Sequence, residues 1–386
     1  MTITDYISTS RKNLNKPINK ERYEAILKDL HQDRQIDLNL KVVYSLNRKT
    51  EIAELKGERY LIYDQYLGQT FYELNRIFFG ASIDEIGLCY SFKLIGENLQ
   101  LKNYLNASLF FAHYFTNFYP YFKEIKPFEK QVILFSTIQE YFVIAHEISH
   151  EIMYSQGASD LYETTKQLLI KNHVEIFDRI DLTEQSVTKS YVDSLMETMR
   201  YPEELRDRVQ EQSETMFKGG LKEYINKTRK LIMERKDFLE EVICDEIATN
   251  MILNLNLASP ETTIRAILVG LFNLRLLSIA SRMVAQIKDK SVSLDDFFFE
   301  SNIRLNALRK NFETTLRLKH VEVDINKFLD FLTQDSERYS KLISNPLLYS
   351  AQTDVNEISE QPKLMNRKYK AKEIIELNNL INKAFR

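Results

Sequence analysis

His146 and His150 frame Glu147-Ile148-Ser149 to give His-Glu-x-x-His. No other residues in this chain are better suited to chemistry by type and spacing. The chain has only six histidines, and two of them stand here at positions i and i+4. On an α-helix such positions share one face, about 6 Å apart at Cβ, so two imidazoles converge on one metal ion. Glu147 projects to the side of that pair, where its carboxylate can hold a water activated by the metal and accept its proton. In a chain with this many histidines, on the order of 0.01 chance occurrences are expected. The plainer alternative is a pair of histidines satisfied within a core. It leaves paired inward imidazoles and an adjacent acid buried at a cost that no ligand offsets.

A second stretch with chemical character is Phe238-Leu-Glu-Glu-Val-Ile-Cys-Asp-Glu-Ile-Ala-Thr-Asn-Met251. As a helix it sets Phe238, Glu241, Asp245, Ala248, Ile252 and Leu255 on one face. Two carboxylates then interrupt an apolar stripe, and burying both without a counter-charge is expensive. A cation, or an imidazole N–H bound to one, resolves this. On the same helix Glu240 is expected to face away from the stripe and Glu246 to lie off it. Cys244 reads as a small buried apolar residue. Acidic pairs at this spacing are common on solvated helices, so the weight of Glu241 and Asp245 comes from the stripe and from the upstream motif.

The His146–His150 motif, with the uncharged Val143, Ile144, Ala145, Ile148 and Ser149 around it, resembles the zincin superfamily of metallopeptidases. The Glu241-x-x-x-Asp245 pattern is similar to that of the gluzincin subgroup. The resemblance implies that Glu241 is a third metal ligand beside His146 and His150, and that Asp245 accepts the free ring N–H of His146. It implies Zn²⁺ as cofactor, with water in the fourth position and Glu147 as general base. Glu151 departs from the pattern, because families of this kind carry an uncharged residue directly after the second histidine. Residues 151–240 separate the two motifs and imply a large helical insertion. The resemblance covers only these two helices.

The motif needs a helix to carry it. Phe135, Ile138, Phe142, Val143 and Met153 recur at the helical period, with no Pro or Gly from Glu129 to Gln156, and Gly157 provides a stop. Upstream the period changes to two. Ile36, Leu38, Leu40 and Val42 alternate with polar residues, and Thr50–Leu55 and Arg59–Tyr63 are two further short strands joined through Gly57. These suggest a small antiparallel sheet ahead of the motif helix. In zincins an edge strand in that place aligns the substrate backbone. The alternative is a sheet that merely roofs the core.

Residues 65–125 read as two aromatic-rich helices, and Phe110 to Phe122, with His113 among them, read as core. Residues 161–236 are charged and helical. His173 and Glu197 lie there without a partner at ligand spacing. Ser259-Pro260-Glu261 is a helix start for the most apolar helix of the chain, which runs through Met283. Ser293-Leu-Asp-Asp296 is another helix start, followed by amphipathic helices over 297–348. Residues 351–363 read as a loop or linker, and the basic tail from Lys368 to Arg386 as an amphipathic helix docked on the body of the protein, with binding to a membrane surface or a partner as the alternative. The expected organisation is residues 1–125 as an N-terminal α+β part, 126–290 as a helical metallopeptidase core and 291–386 as a C-terminal helical extension.

Composition fits this picture. Nine glycines and seven prolines in 386 residues are few breakers, which favours helix. The net charge of −3, with both signs interspersed, argues against a nucleic-acid partner. The N-terminus lacks a signal pattern, and the apolar run near Ile267 to Ala280 is broken by Asn273 and Arg275, so no membrane partner is expected. Two cysteines, Cys89 and Cys244, supply no disulfide framework, and cytoplasmic placement is the simplest expectation. The fold class expected is α+β, mainly α-helical and zincin-like. The expected function is a zinc-dependent metallopeptidase hydrolysing a peptide bond in a peptide or protein substrate. The alternative is a non-catalytic helical interaction protein with a structural metal or none. A deformylase would need a ligand cysteine in a glycine-rich loop, and neither cysteine lies in one.

Overall fold

The computed structural model describes residues 1–80 (less 12, 14, 15, 32–37 and 46), 129–174 (less 157 and 158), 223–288 and 299–308. It also describes the single positions Arg206, Phe297, Phe312, Gln334 and Asp335. The elements in order are α1 (Ile3–Ser10), α2 (Lys20–Leu30), β1 (Asn39–Val43), β2 (Glu51–Leu55), β3 (Glu58–Asp64) and α3 (Gln65–Gly80). They are followed by α4 (Glu129–Gln156), α5 (Ser159–His173), α6 (Lys236–Leu255) and α7 (Pro260–Lys288). Residues 299–308 are also helical. The described residues are mainly helical, with one small sheet. The aromatic cluster at 110–122, His113, Glu197, Cys89, the linker and the basic tail fall outside the described residues.

The three strands fall where the alternation places them, but the sheet is mixed, not antiparallel. Its order is β1-β3-β2. β2 and β3 form an antiparallel hairpin with Leu55 opposite Glu58, closed by Lys56 and Gly57. Both turn residues have positive φ, 56° and 80°, as a two-residue type I′ turn demands. β1 pairs with β3 in parallel, Asn39 opposite Tyr60. Alternation specifies which side chains share a face; it carries no information on strand direction, which is why this expectation failed. In the order β1-β3-β2, β2 has β3 as its one neighbour among the described residues.

α4 is the centre of the described structure, packed against α6, α3 and α7. From Gln139 to Ser149 it is buried on nearly every side, with only Glu147 partly exposed. It is therefore a core helix rather than an amphipathic one. Glu140 and Gln139 are polar groups paired inside this core. Glu140 accepts from the hydroxyls of Tyr23 (2.8 Å) and Tyr63 (3.2 Å) and from Arg22, tying α2 and β3 to α4. Gly68 of α3 lies against it. A Cβ on Gly68 would stand 2.0 Å from the Glu140 carboxylate, so only glycine fits that close approach.

Gln139 links α4 to two other helices. Its Oε1 accepts from Asn75 of α3 at 2.9 Å, and its Nε2 donates to the Ala266 carbonyl of α7 at 3.0 Å. α7 begins as expected, with Ser259 Oγ accepting from the Thr262 N–H at 3.3 Å.

Candidate metal centre

Two helices build the site. α4 presents His146 and His150 one turn apart, with ring centroids 5.0 Å apart. α6 packs against that face and brings Glu241 between the rings. Glu241 Oε2 lies 3.4 Å from His146 Nε2, and its Oε1 lies 3.6 Å from His150 Nε2. One donor atom from each of the three residues falls within 4.8 Å of the others, close enough to hold a single metal ion. Among the described residues this is the one such group of three. His173, buried at the end of α5, is not part of it.

The outer nitrogens of both rings face acids. His146 Nδ1 is 2.9 Å from Asp245 Oδ1, although the ring N–H is not well aligned with that oxygen, so the contact is chiefly ionic. His150 Nδ1 is 2.8 Å from Glu240 Oε1. Glu240 was expected to face away. Instead it caps the second histidine and itself accepts from the hydroxyls of Tyr154 and Tyr162, each at 3.1 Å. A glutamate side chain is long enough to bridge the 100° step between neighbouring helical positions, and a stripe count by residue number misses that. With an acid at each Nδ1, both rings are oriented to offer Nε2 inward.

Arg304, from the helical residues 299–308, was not anticipated. Its guanidinium donates to both oxygens of the fully buried Asp245, from Nε (2.5 Å) and Nη2 (2.8 Å). Its Nη1 lies 2.7 Å from Glu241 Oε2. Nothing in the spacing of Asn302-Ile-Arg-Leu305 marks this residue; only the packing of its helix on α6 brings it in.

The charges account for one another. Burial alone would lower the His146 pKa, but Asp245 and Glu241 more than offset it and raise the imidazole from 6.5 to about 9. Burial would raise Glu241, but His146 and Arg304 hold it at about 2. Asp245, despite burial, is held far below its ordinary value by Arg304 and His146. His146 and Arg304 are thus set against Glu241 and Asp245, each pair of like charges held by the other. Glu147 is different. Burial raises its carboxyl from 4.5 to about 7; His146 opposes the shift, and Glu241 and Glu51 add to it. A carboxylate near neutrality is suited to proton transfer.

Glu147 and His150 line a cleft of about 530 Å³, bordered by Glu51, Ile52 and Glu54 of β2, Arg59 of β3, and Glu151, Tyr154 and Glu240. Glu151, the residue that departs from the zincin pattern, is buried and ion-paired with Arg59, so it fastens the sheet to the site helix. Cys244 is fully buried against Met153, as expected of a small apolar residue. No helix among the described residues is long and apolar enough to cross a membrane. No protein-family model, curated protein or solved structure matches this chain.

Proposed function

We propose that the protein is a zinc-dependent metallopeptidase acting on a peptide or protein. The observation that carries this reading is the convergence of His146 Nε2, His150 Nε2 and one Glu241 oxygen beside Glu147 at the wall of an open cleft. Two nitrogens and one carboxylate oxygen are a donor set that suits Zn²⁺. A purely structural zinc site is closed by four protein ligands. Among the described residues three protein donors converge here, and a candidate base stands next to them, which favours catalysis over a structural metal.

The metal, when bound, would supply a Lewis acid for the scissile carbonyl and activate the attacking water. The remaining work falls to side chains. Asp245 and Glu240 keep both imidazoles turned inward. Glu147 accepts the proton of the attacking water and delivers it to the leaving amine. β2, which pairs only with β3 among the described residues and lines the cleft through Glu51, Ile52 and Glu54, offers main-chain groups along which an extended peptide can lie.

The test is metal analysis of protein purified without chelators, followed by cleavage of a degenerate peptide library by wild type and Glu147→Gln. One zinc per chain with cleavage only by wild type is expected. Equal cleavage by both, or none by zinc-loaded wild type, overturns the reading.

A further inference from the structure

Glu241 has two carboxylate oxygens, and a carboxylate that ligates through both fills the position a substrate water needs. The structure shows one of them already engaged. Arg304 Nη1 is 2.7 Å from Oε2, which also lies 3.4 Å from His146 Nε2, while Oε1 faces His150 Nε2 at 3.6 Å. The same guanidinium is fixed by its two bonds to Asp245, so it has little freedom to release Glu241. Its backbone is also fixed. Ile303 and Ala307, on either side of Arg304, are buried in a cluster with Phe238, Leu239 and Val242 of α6, the turn that carries Glu241. One rigid fork therefore sets both the ligand carboxylate and the acid behind His146.

We propose that Arg304 is a positioning residue of the metal centre, holding Glu241 to single-oxygen ligation through Oε1 and so keeping the fourth position for water. The proposal rests on the reading of His146, His150 and Glu241 as metal ligands. Arg304 need not touch substrate for it to hold. Lysine at this position keeps the positive charge but cannot make the bidentate contact.

The test compares wild type with Arg304→Lys in two measurements. The first is zinc affinity by competition with a chromophoric chelator. The second is the visible spectrum of the Co²⁺-substituted protein, which distinguishes four-coordinate from higher-coordinate sites. Wild type is expected to show the intense bands of a four-coordinate ion. Arg304→Lys is expected to lose most of that intensity as the second oxygen joins, and to bind zinc about 10–100-fold more weakly, the usual scale for an outer partner of a ligand. Circular dichroism verifies folding. If the lysine variant does not fold, Arg304→Gln combined with Asp245→Asn removes the buried pair together and should give the same spectral loss.

An unchanged cobalt spectrum in a folded variant, or a rise in zinc affinity, overturns the proposal. Failure of wild type to bind either metal is a separate result, because it removes the metal centre itself.

Discussion

Oε1 of Glu240 lies 2.8 Å from Nδ1 of His150, while the next residue on the same helix, Glu241, faces the other nitrogen of that ring. Two consecutive acids thus grip one imidazole from opposite sides. Asp245 and Glu241 do the same for His146. Each histidine has its outer nitrogen occupied and its inner nitrogen left for a shared ligand. The symmetry gives Glu240 a weight equal to that of Asp245.

Glu240→Ala should therefore lower zinc affinity about 10–100-fold, as removal of an outer carboxylate typically does. Glu240→Gln should lose less, because an amide oxygen still accepts from Nδ1. Chelator competition at fixed pH checks both. A zinc affinity of Glu240→Ala equal to that of wild type would mean that the His150 contact orients nothing.

Glu147→Gln should retain zinc and lose turnover by about 10²–10⁴-fold, the range for a positioned proton-transfer group. Metal content by atomic absorption, measured beside peptide cleavage, separates loss of the base from loss of the ion. Loss of zinc together with activity would assign Glu147 to the ligand set instead.

Metal uptake should release protons. His146, raised to about 9 in the metal-free centre, is protonated at pH 7 and must be neutral to ligate. Apparent zinc affinity should then rise with pH up to about 9, by roughly tenfold per unit if one proton leaves. The stability of the metal-free protein should run the other way. A group raised from 6.5 to about 9 contributes fully below 6.5, and that contribution disappears as pH climbs through 9. Calorimetric titration in buffers of different ionisation enthalpy measures the proton count. Zero protons released at pH 7 would contradict an imidazolium in the empty centre.

Gly68→Ala offers a check on the fold away from the metal. On propensity alone the change in a helix should stabilise by about 1 kcal/mol. The added Cβ would stand 2.0 Å from the Glu140 carboxylate, which Arg22, Tyr23 and Tyr63 hold in place. Overpacking of this kind costs about 1–3 kcal/mol, so the net sign should be a lowered Tm. An unchanged or raised Tm would show that Glu140 yields easily.

How much of this could be read beforehand follows from what sequence periodicity encodes. The His146–Glu147–His150 motif could be read because ligand spacing and helical period coincide within one element. Glu241 and Asp245 were readable because carboxylates in an apolar stripe require a partner. Glu240 was misplaced because a helical wheel tracks Cβ direction, and a three-bond side chain reaches beyond it. Arg304 left no trace, since its role comes from how two helices pack. The strands were found by alternation. Their mixed pairing was not, because direction is set by how the chain returns to the sheet.

The buried bonds of Gln139 to Asn75 and to the Ala266 carbonyl have a mechanical consequence. Sliding α7 or α3 along α4 by one residue would strand those groups unpaired, at about 1–3 kcal/mol each. The floor of the cleft is therefore pinned in register. Another wall is β2, a five-residue strand that pairs only with β3 among the described residues, so breathing that admits a bulky polypeptide is expected there.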